Sequence, residues 1–480
     1  MATPKLIVLY DGTWCGMEAG TRTNIYLLAF MIMNPGTPFN ANPVPPYNDP
    51  FKTSPAAPYI DPTGGIRLCY FPGPGVGNTF LENLVYGFTG NDINLNCVEL
   101  YQYIVQNYNP GCEIWMFGLS RGAYTVRCVA GMINNCGILK RRDDANNPLL
   151  TNDHAVLTPQ ELLLCTGVYE FYRSRLPTHH PAHPDMVDFR ERNSHTERTP
   201  VKFMGLFDTV GGLGIPYNIP GIGLSFHQFH DISVSTVVEK VYQALSIHDR
   251  MWFFEPCHAL PSRIRMTVGP PPGAPAGFQY EIRERWFPGC HYDLARQRFR
   301  FLQNGANFLE HAVNWILNPL TRIIVPNDVT ADLVLKWMLE CIRPNDSPPS
   351  VIQDINAHIA DLQTNIIQAT PANTGDGDIY GNLLNYGPLG VLGGHLFRVV
   401  SRLVPQFGLA IHALTRTRDR EIDPGAELTL YDEACPSLAN DTVGALGRIT
   451  TQRYPSQTYQ TFRALPLVPL NPPNTNSSPC

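Results

Sequence analysis

The stretch EIWMFGLSRGAYTVRCVAG, residues 113–131, decides the fold. Its first five residues, EIWMF, read as a strand, apolar after Glu113, and the helix-compatible stretch from about Ala123 to Asn134 follows almost at once. Between them lies Gly118-Leu119-Ser120-Arg121-Gly122. A strand that turns into a helix in so few residues needs glycine on either side of the bend. The bend lifts one hydroxyl above the sheet and sets the next backbone N–H at a helix start. Ser120 is therefore the candidate nucleophile, and Arg121 the candidate donor of one oxyanion N–H.

Working outward, residues 91–108 carry apolar side chains at helical spacing and stop at Asn109-Pro110-Gly111. KLIVLY at 5–10, IRLCYF at 66–71, VKFMGLF at 201–207 and YEIRERWF at 280–287 read as strands, the last of them closing the core. Residues 233–247 read as a helix, as do stretches near 302–318, 329–342 and 350–368. Strands alternating with helices define an α/β chain with a mostly parallel sheet flanked by helices. The expected organisation is a catalytic domain over 1–320, with a polar helical insertion at 140–198. A mostly helical C-terminal cap or accessory extension follows at 321–460, and a frayed tail at 461–480.

In open α/β sheets ligands sit at the carboxyl ends of the strands. Asp11, Ser120, Asp208 and His291 each fall just past such an end. A serine nucleophile needs an imidazole to take and return its proton, and a carboxylate to orient that imidazole. His291 is the candidate base. Asp208 is the candidate acid, and Asp293, two residues from the histidine, is the rival acid or a support. An acyl-transfer site also needs a second N–H for the oxyanion. Gly12 or Thr13, in the loop after the first strand, would supply it, with Asp11 bracing that loop or holding a cation.

Other patterns carry less. His179, His180 and His183 read as a solvated loop rather than a metal site, and His248-Asp249-Arg250 as a surface turn in preference to a flank of the pocket. The glycine-rich loop at 71–78 lacks the Lys-Ser/Thr of a phosphate loop. The 12 cysteines are scattered without a C-x-x-C pair, so neither structural zinc nor another metal is expected. No cofactor is required. A net charge of −6 without a basic run speaks against nucleic acid. The opening MATPKLIVLYDGTW shows no secretory pattern and the chain no run long enough for a membrane span, so a cytoplasmic location is the expectation. The unusually apolar 386–412 reads as core in preference to a cap over the pocket that meets lipid, and a charged fraction of only 16% with apolar candidate cap segments favours a lipid or other hydrophobic ester and peripheral membrane contact.

Five segments resemble one known family. They are LIVLYDGTW at 6–14 with TNIYLLA at 23–29, the run 86–131 around the Ser120 bend, VKFMGLFDTVGGLG at 201–214, ALSIHDRMWFFEP at 244–256, and RWFPGCHYDLA at 285–295. The family is an α/β-hydrolase family that contains the catalytic domains of bacterial type VI secretion phospholipase effectors and has many fungal members. The resemblance implies the triad Ser120, Asp208 and His291. It also implies phospholipase-like cleavage, a small soluble ester or amide substrate and a silent binding domain being the alternatives. The family commonly continues past the His-x-Asp with glycines, whereas this chain reads Leu294-Ala295-Arg296-Gln297.

Overall fold

The computed structural model describes residues 3–12, 22–37, 59–73, 91–142, 156–197, 200–210, 234–250, 254–259, 280–298, 323–369, 375–377, 420 and 427–428. Among them eight strands form one sheet: β1 (Lys5–Tyr10), β2 (Tyr59–Ile60), β3 (Ile66–Phe71), β4 (Glu113–Leu119), β5 (Val201–Phe207), β6 (Val238–Ser246), β7 (Glu281–Phe287) and β8 (Glu427–Leu428). Their spatial order is β2-β3-β1-β4-β5-β6-β7-β8. All neighbours are parallel except β2, an antiparallel edge on β3. The chain leaves β1 toward β3 and then returns to its other side at β4. The sheet order therefore reverses at β1, and the crevice of an open α/β sheet lies above that point.

Helices α1 (Asn24–Met33), α2 (Asn91–Asn107), α3 (Arg121–Cys136), α4 (Pro159–Arg173), α5 (Pro184–Asn193), α6 (His291–Leu294), α7 (Asp328–Ile342) and α8 (Ile355–Ile367) accompany the sheet. Strand residues alternate between two cores, as a period of two requires. Ile7, Leu9, Trp115, Phe117, Phe203 and Tyr242 face a core shared with α1, α7 and α8. Leu6, Val8, Ile114, Met116, Met204 and Val241 face one shared with α2, α3 and α4. On the first face Trp115, Phe203 and Tyr242 stack in a row across β4, β5 and β6, with ring centroids 4.9 and 5.1 Å apart, and Trp337 of α7 meets Tyr242 edge-on. Each such buried ring contributes about 1.5–3 kcal/mol of hydrophobic stabilisation.

Two expectations change here. Residues 238–246 are a strand, not part of a helix. VVEKVYQALS places apolar residues at spacings that suit a helix, but between two parallel strands both faces are buried and the β-branched valines fit the pleat. The other change concerns the sheet edge: β8 pairs outside β7, so β7 is not the last strand, and α7 and α8 pack on the same core. Lys5, buried at the start of β1, pairs with Asp346 at 2.5 Å and ties the two ends of this core together. The described part of the inserted segment holds the helices α4 and α5. Thr158 and Glu161 cap α4 reciprocally, and Arg141 meets Glu161 at 2.8 Å to close its base. Predicted helices near 302–318, the apolar stretch 386–412 and the tail lie outside the described residues.

Candidate active site

The bend after β4 has the geometry its glycines announce. A Cβ on Gly118 would lie 2.5 Å from the Cα of Ala123, and one on Gly122 would lie 2.3 Å from the carbonyl oxygen of Tyr10. Both obstacles are backbone, so Gly122→Ala is expected to cost about 3 kcal/mol or more, read as a lowered urea midpoint. Ser120 between them sits at φ 56, ψ −121 and heads α3 without using its side chain as a cap. Serine is a favoured capping residue, so a hydroxyl withheld from the helix end is notable. The residue is 5% exposed.

The hydrogen-bond ladder continues past the strand ends and keeps the neighbouring residues in step. Ser120 N–H donates to Phe207 O at 2.9 Å, Asp208 N–H to Ala244 O at 2.7 Å, and Ile247 N–H to Phe287 O at 2.9 Å. Ser120 and Asp208 thus cap adjacent parallel strands. From α6, at the end of β7, His291 Nδ1 meets Asp208 Oδ2 at 2.6 Å, with both side chains buried. Phe254 stacks on the imidazole, centroids 4.7 Å apart and planes 16° from parallel. The structure brings Asp208 and His291 together and puts Ser120 beside Asp208.

Asp208 also has positive φ, 42°. Its carboxylate accepts from Ser246 N–H at 3.0 Å and Ser246 Oγ at 3.2 Å. It accepts twice more from Arg420, Nη1 to Oδ1 at 2.7 Å and Nη2 to Oδ2 at 3.0 Å. Burial pushes the carboxyl's pKa up, but the Arg420 charge and the His291 hydrogen bond outweigh it and hold the group well below the usual carboxylate range.

The other candidates have backbone duties. Asp293 Oδ2 accepts from Cys290 N–H and Oδ1 from Asn327 N–H, each at 2.7 Å, so the rival acid caps α6 and fastens the strand-to-helix link before α7. Asp11 takes Thr23 Oγ1 and Tyr70 OH on Oδ2, both at 2.6 Å, and Gly12 N–H on Oδ1 at 2.8 Å. It braces the loop. The same bond commits the Gly12 N–H, for which an oxyanion at Ser120 would have to compete. A Cβ on Gly12 would come within 3.2 Å of Ser120 Cβ, which places this loop against the serine. Thr13 lies outside the described residues. Arg121 opens α3, where first-turn N–H groups have no partner within the helix.

Four further residues at the site are not among the candidate site residues of the sequence. His248 and Asp249 follow β6 and are buried, not on a surface turn. Asp249 Oδ2 accepts the backbone N–H of His291 at 3.0 Å, and burial raises its pKa. His248 Nδ1 accepts Gly289 N–H at 2.8 Å, so the ring is neutral, and burial pushes its pKa from 6.5 down to about 3. As pH falls below 6.5 the unfolded chain binds a proton that the folded chain refuses until about pH 3. Stability is therefore complete above pH 6.5 and declines on acidification through that window. Between pH 6.5 and 5 this one group removes about 2 kcal/mol. Urea titrations should show a shallower loss over that range in His248→Asn than in the wild type, and equal losses would refute the assignment. Phe254 and Arg420 are the other two. The segment carrying Phe254 is clamped from below: Cys257 N–H donates to Thr209 O at 2.8 Å, and Arg127 donates to Cys257 O at 2.6 Å and His258 O at 2.9 Å.

His179, His180 and His183 lie by α5, where His180 and His183 accept turn N–H groups. Among the described residues no cluster of His, Cys, Asp or Glu could hold a metal ion, and no helix is long and apolar enough to cross a membrane.

A mostly parallel sheet whose β4 turns through a strained serine into α3 is an α/β-hydrolase-like fold. The family described as the T6SS phospholipase effector Tle1-like catalytic domain matches residues 4–341, and the chain belongs to it. At family level it is a lipase- or phospholipase-like hydrolase domain. The uncharacterized protein YEL023C of Saccharomyces cerevisiae is 23% identical over 206 residues, 39% of this chain and 27% of that protein. Two solved structures are similar. The Tle1 effector bound to the VgrG spike of the type 6 secretion system is 14% identical with a TM-score of 0.27, over 61% of this chain and 51% of that one. An uncharacterized protein from Pseudomonas aeruginosa is 12% identical with a TM-score of 0.29, over 94% and 63%. The chain spans less than two thirds of each of these proteins.

Proposed function

We propose that the protein is a serine hydrolase that cleaves carboxylic esters of lipids, with Ser120 as nucleophile, His291 as base and Asp208 as the orienting acid. The buried 2.6 Å contact between His291 Nδ1 and Asp208, one strand from Ser120, carries this reading. With Nδ1 donating to the carboxylate, Nε2 is left as the acceptor that a general base needs. Ser120 Oγ adds to the acyl carbonyl as its proton passes to Nε2. The carbonyl oxygen gains the negative charge, and the Arg121 N–H at the start of α3 supplies one donor to it. The bond to the alcohol breaks, and His291 returns the proton to that leaving oxygen. Water, activated by the same nitrogen, releases the acid and restores Ser120. Family membership supports a phospholipid as substrate, and contact with a membrane surface follows from such a substrate.

A fluorophosphonate probe should label the wild type and not Ser120→Ala, and phospholipid vesicles should yield free fatty acid with the wild type alone. Labelling of both proteins would refute the nucleophile. Turnover of short-chain esters without any attack on vesicles would refute the lipid substrate and leave the triad standing.

A further inference from the structure

Arg420 comes from far outside the segments that build the strand ends, yet its guanidinium reaches four acceptors around one imidazole. Besides both oxygens of Asp208, Nη1 donates to Ser246 O at 2.8 Å and Nη2 to Phe254 O at 2.5 Å. Every one of these acceptors belongs to the cage of His291. Asp208 bonds its ring, Phe254 covers its face, and Ser246 ends the strand that carries Asp249, which holds its backbone N–H. Arg420 is 8% exposed. A planar fork with fixed donor directions suits such a cluster, and an ammonium does not.

We infer that Arg420 is a positioning residue of the active centre, fixing the Asp208 carboxylate and the Phe254 backbone so that His291 is presented to Ser120, and balancing the Asp208 charge. The inference rests on the triad reading above. It makes the chain beyond the family-matched residues 4–341 a working part of the site.

The test uses the full chain and three proteins. In Arg420→Gln, kcat should fall roughly 10²-fold, because the cage of the imidazole loosens. KM should stay within about twofold of the wild type, because no group that holds the substrate is altered. Arg420→Lys should still lose roughly tenfold in kcat, since one ammonium cannot fork to four acceptors. A wild-type kcat in either variant, or a loss that falls on KM alone, overturns the inference. The lysine variant decides alone if the glutamine variant does not fold. Fluorophosphonate labelling of the wild type is measured beside them. Its absence from Ser120 would instead remove the triad reading itself.

Discussion

Ser120→Gly is expected to melt at a higher temperature than the wild type while losing roughly 10⁶-fold in ester turnover. At φ 56 and ψ −121 the serine occupies a conformation that glycine alone adopts at little cost. Such strain at a non-glycine residue costs about 1–3 kcal/mol, and the greater freedom of unfolded glycine takes back less than 1 kcal/mol of the relief. Nor does the hydroxyl stabilise the fold in return, since it does not cap α3. A gain of about 1 kcal/mol is therefore the expected balance. Ser120→Ala removes the same nucleophile but keeps the Cβ and the strain, so it should match the wild type in stability and the glycine variant in inactivity. Thermal melts and ester assays on the three proteins check both halves. A glycine variant less stable than the alanine one would show that the bend is not strained. Turnover in either variant near that of the wild type would show that the hydroxyl does no chemistry.

The bend that holds the proposed nucleophile could be read from the sequence. Gly118 and Gly122 stand where no side chain fits, and a strand and a helix of clear periodicity flank them. The same rule, that function gathers past the carboxyl ends of strands, also pointed to Asp208 and His291. It failed at β6 because VVEKVYQALS satisfies helical spacing as well as it satisfies a strand buried on both faces. Read as a helix, that segment has no strand end to inspect, and for His248 and Asp249 a surface turn is preferred to a flank of the pocket. Arg420 lay beyond the method altogether. It stands among the basic and acidic residues of RTRDRE at 416–421, with no local periodicity, and its partners are 212 and 174 positions away. Nothing in a one-dimensional pattern marks which arginine of such a run turns inward. In the loop after β1 no spacing tells that Asp11 takes the Gly12 N–H for itself.

Asp208→Asn provides the other large effect, and it falls on two quantities at once. Asparagine tolerates the positive φ of 42° at this position, so the backbone is not the issue. The amide cannot hold the imidazole in the tautomer that leaves Nε2 unprotonated, and kcat should fall roughly 10⁴-fold. Stability should fall as well, by about 3–5 kcal/mol, because Arg420 stays behind as a buried charge without its anion. The two losses have different origins, and the double variant Asp208→Asn/Arg420→Gln separates them. With both charges of the pair gone, neither position leaves a charge without its partner, so most of the lost stability should return, as it does when buried ion pairs are replaced whole. Activity should not return, because the imidazole still lacks its carboxylate. Urea unfolding and ester kinetics on the wild type, both single variants and the double variant close the cycle. Additive stability losses would mean that Arg420 and Asp208 do not act as a pair, and a double variant with restored turnover would mean that Asp208 does not orient His291.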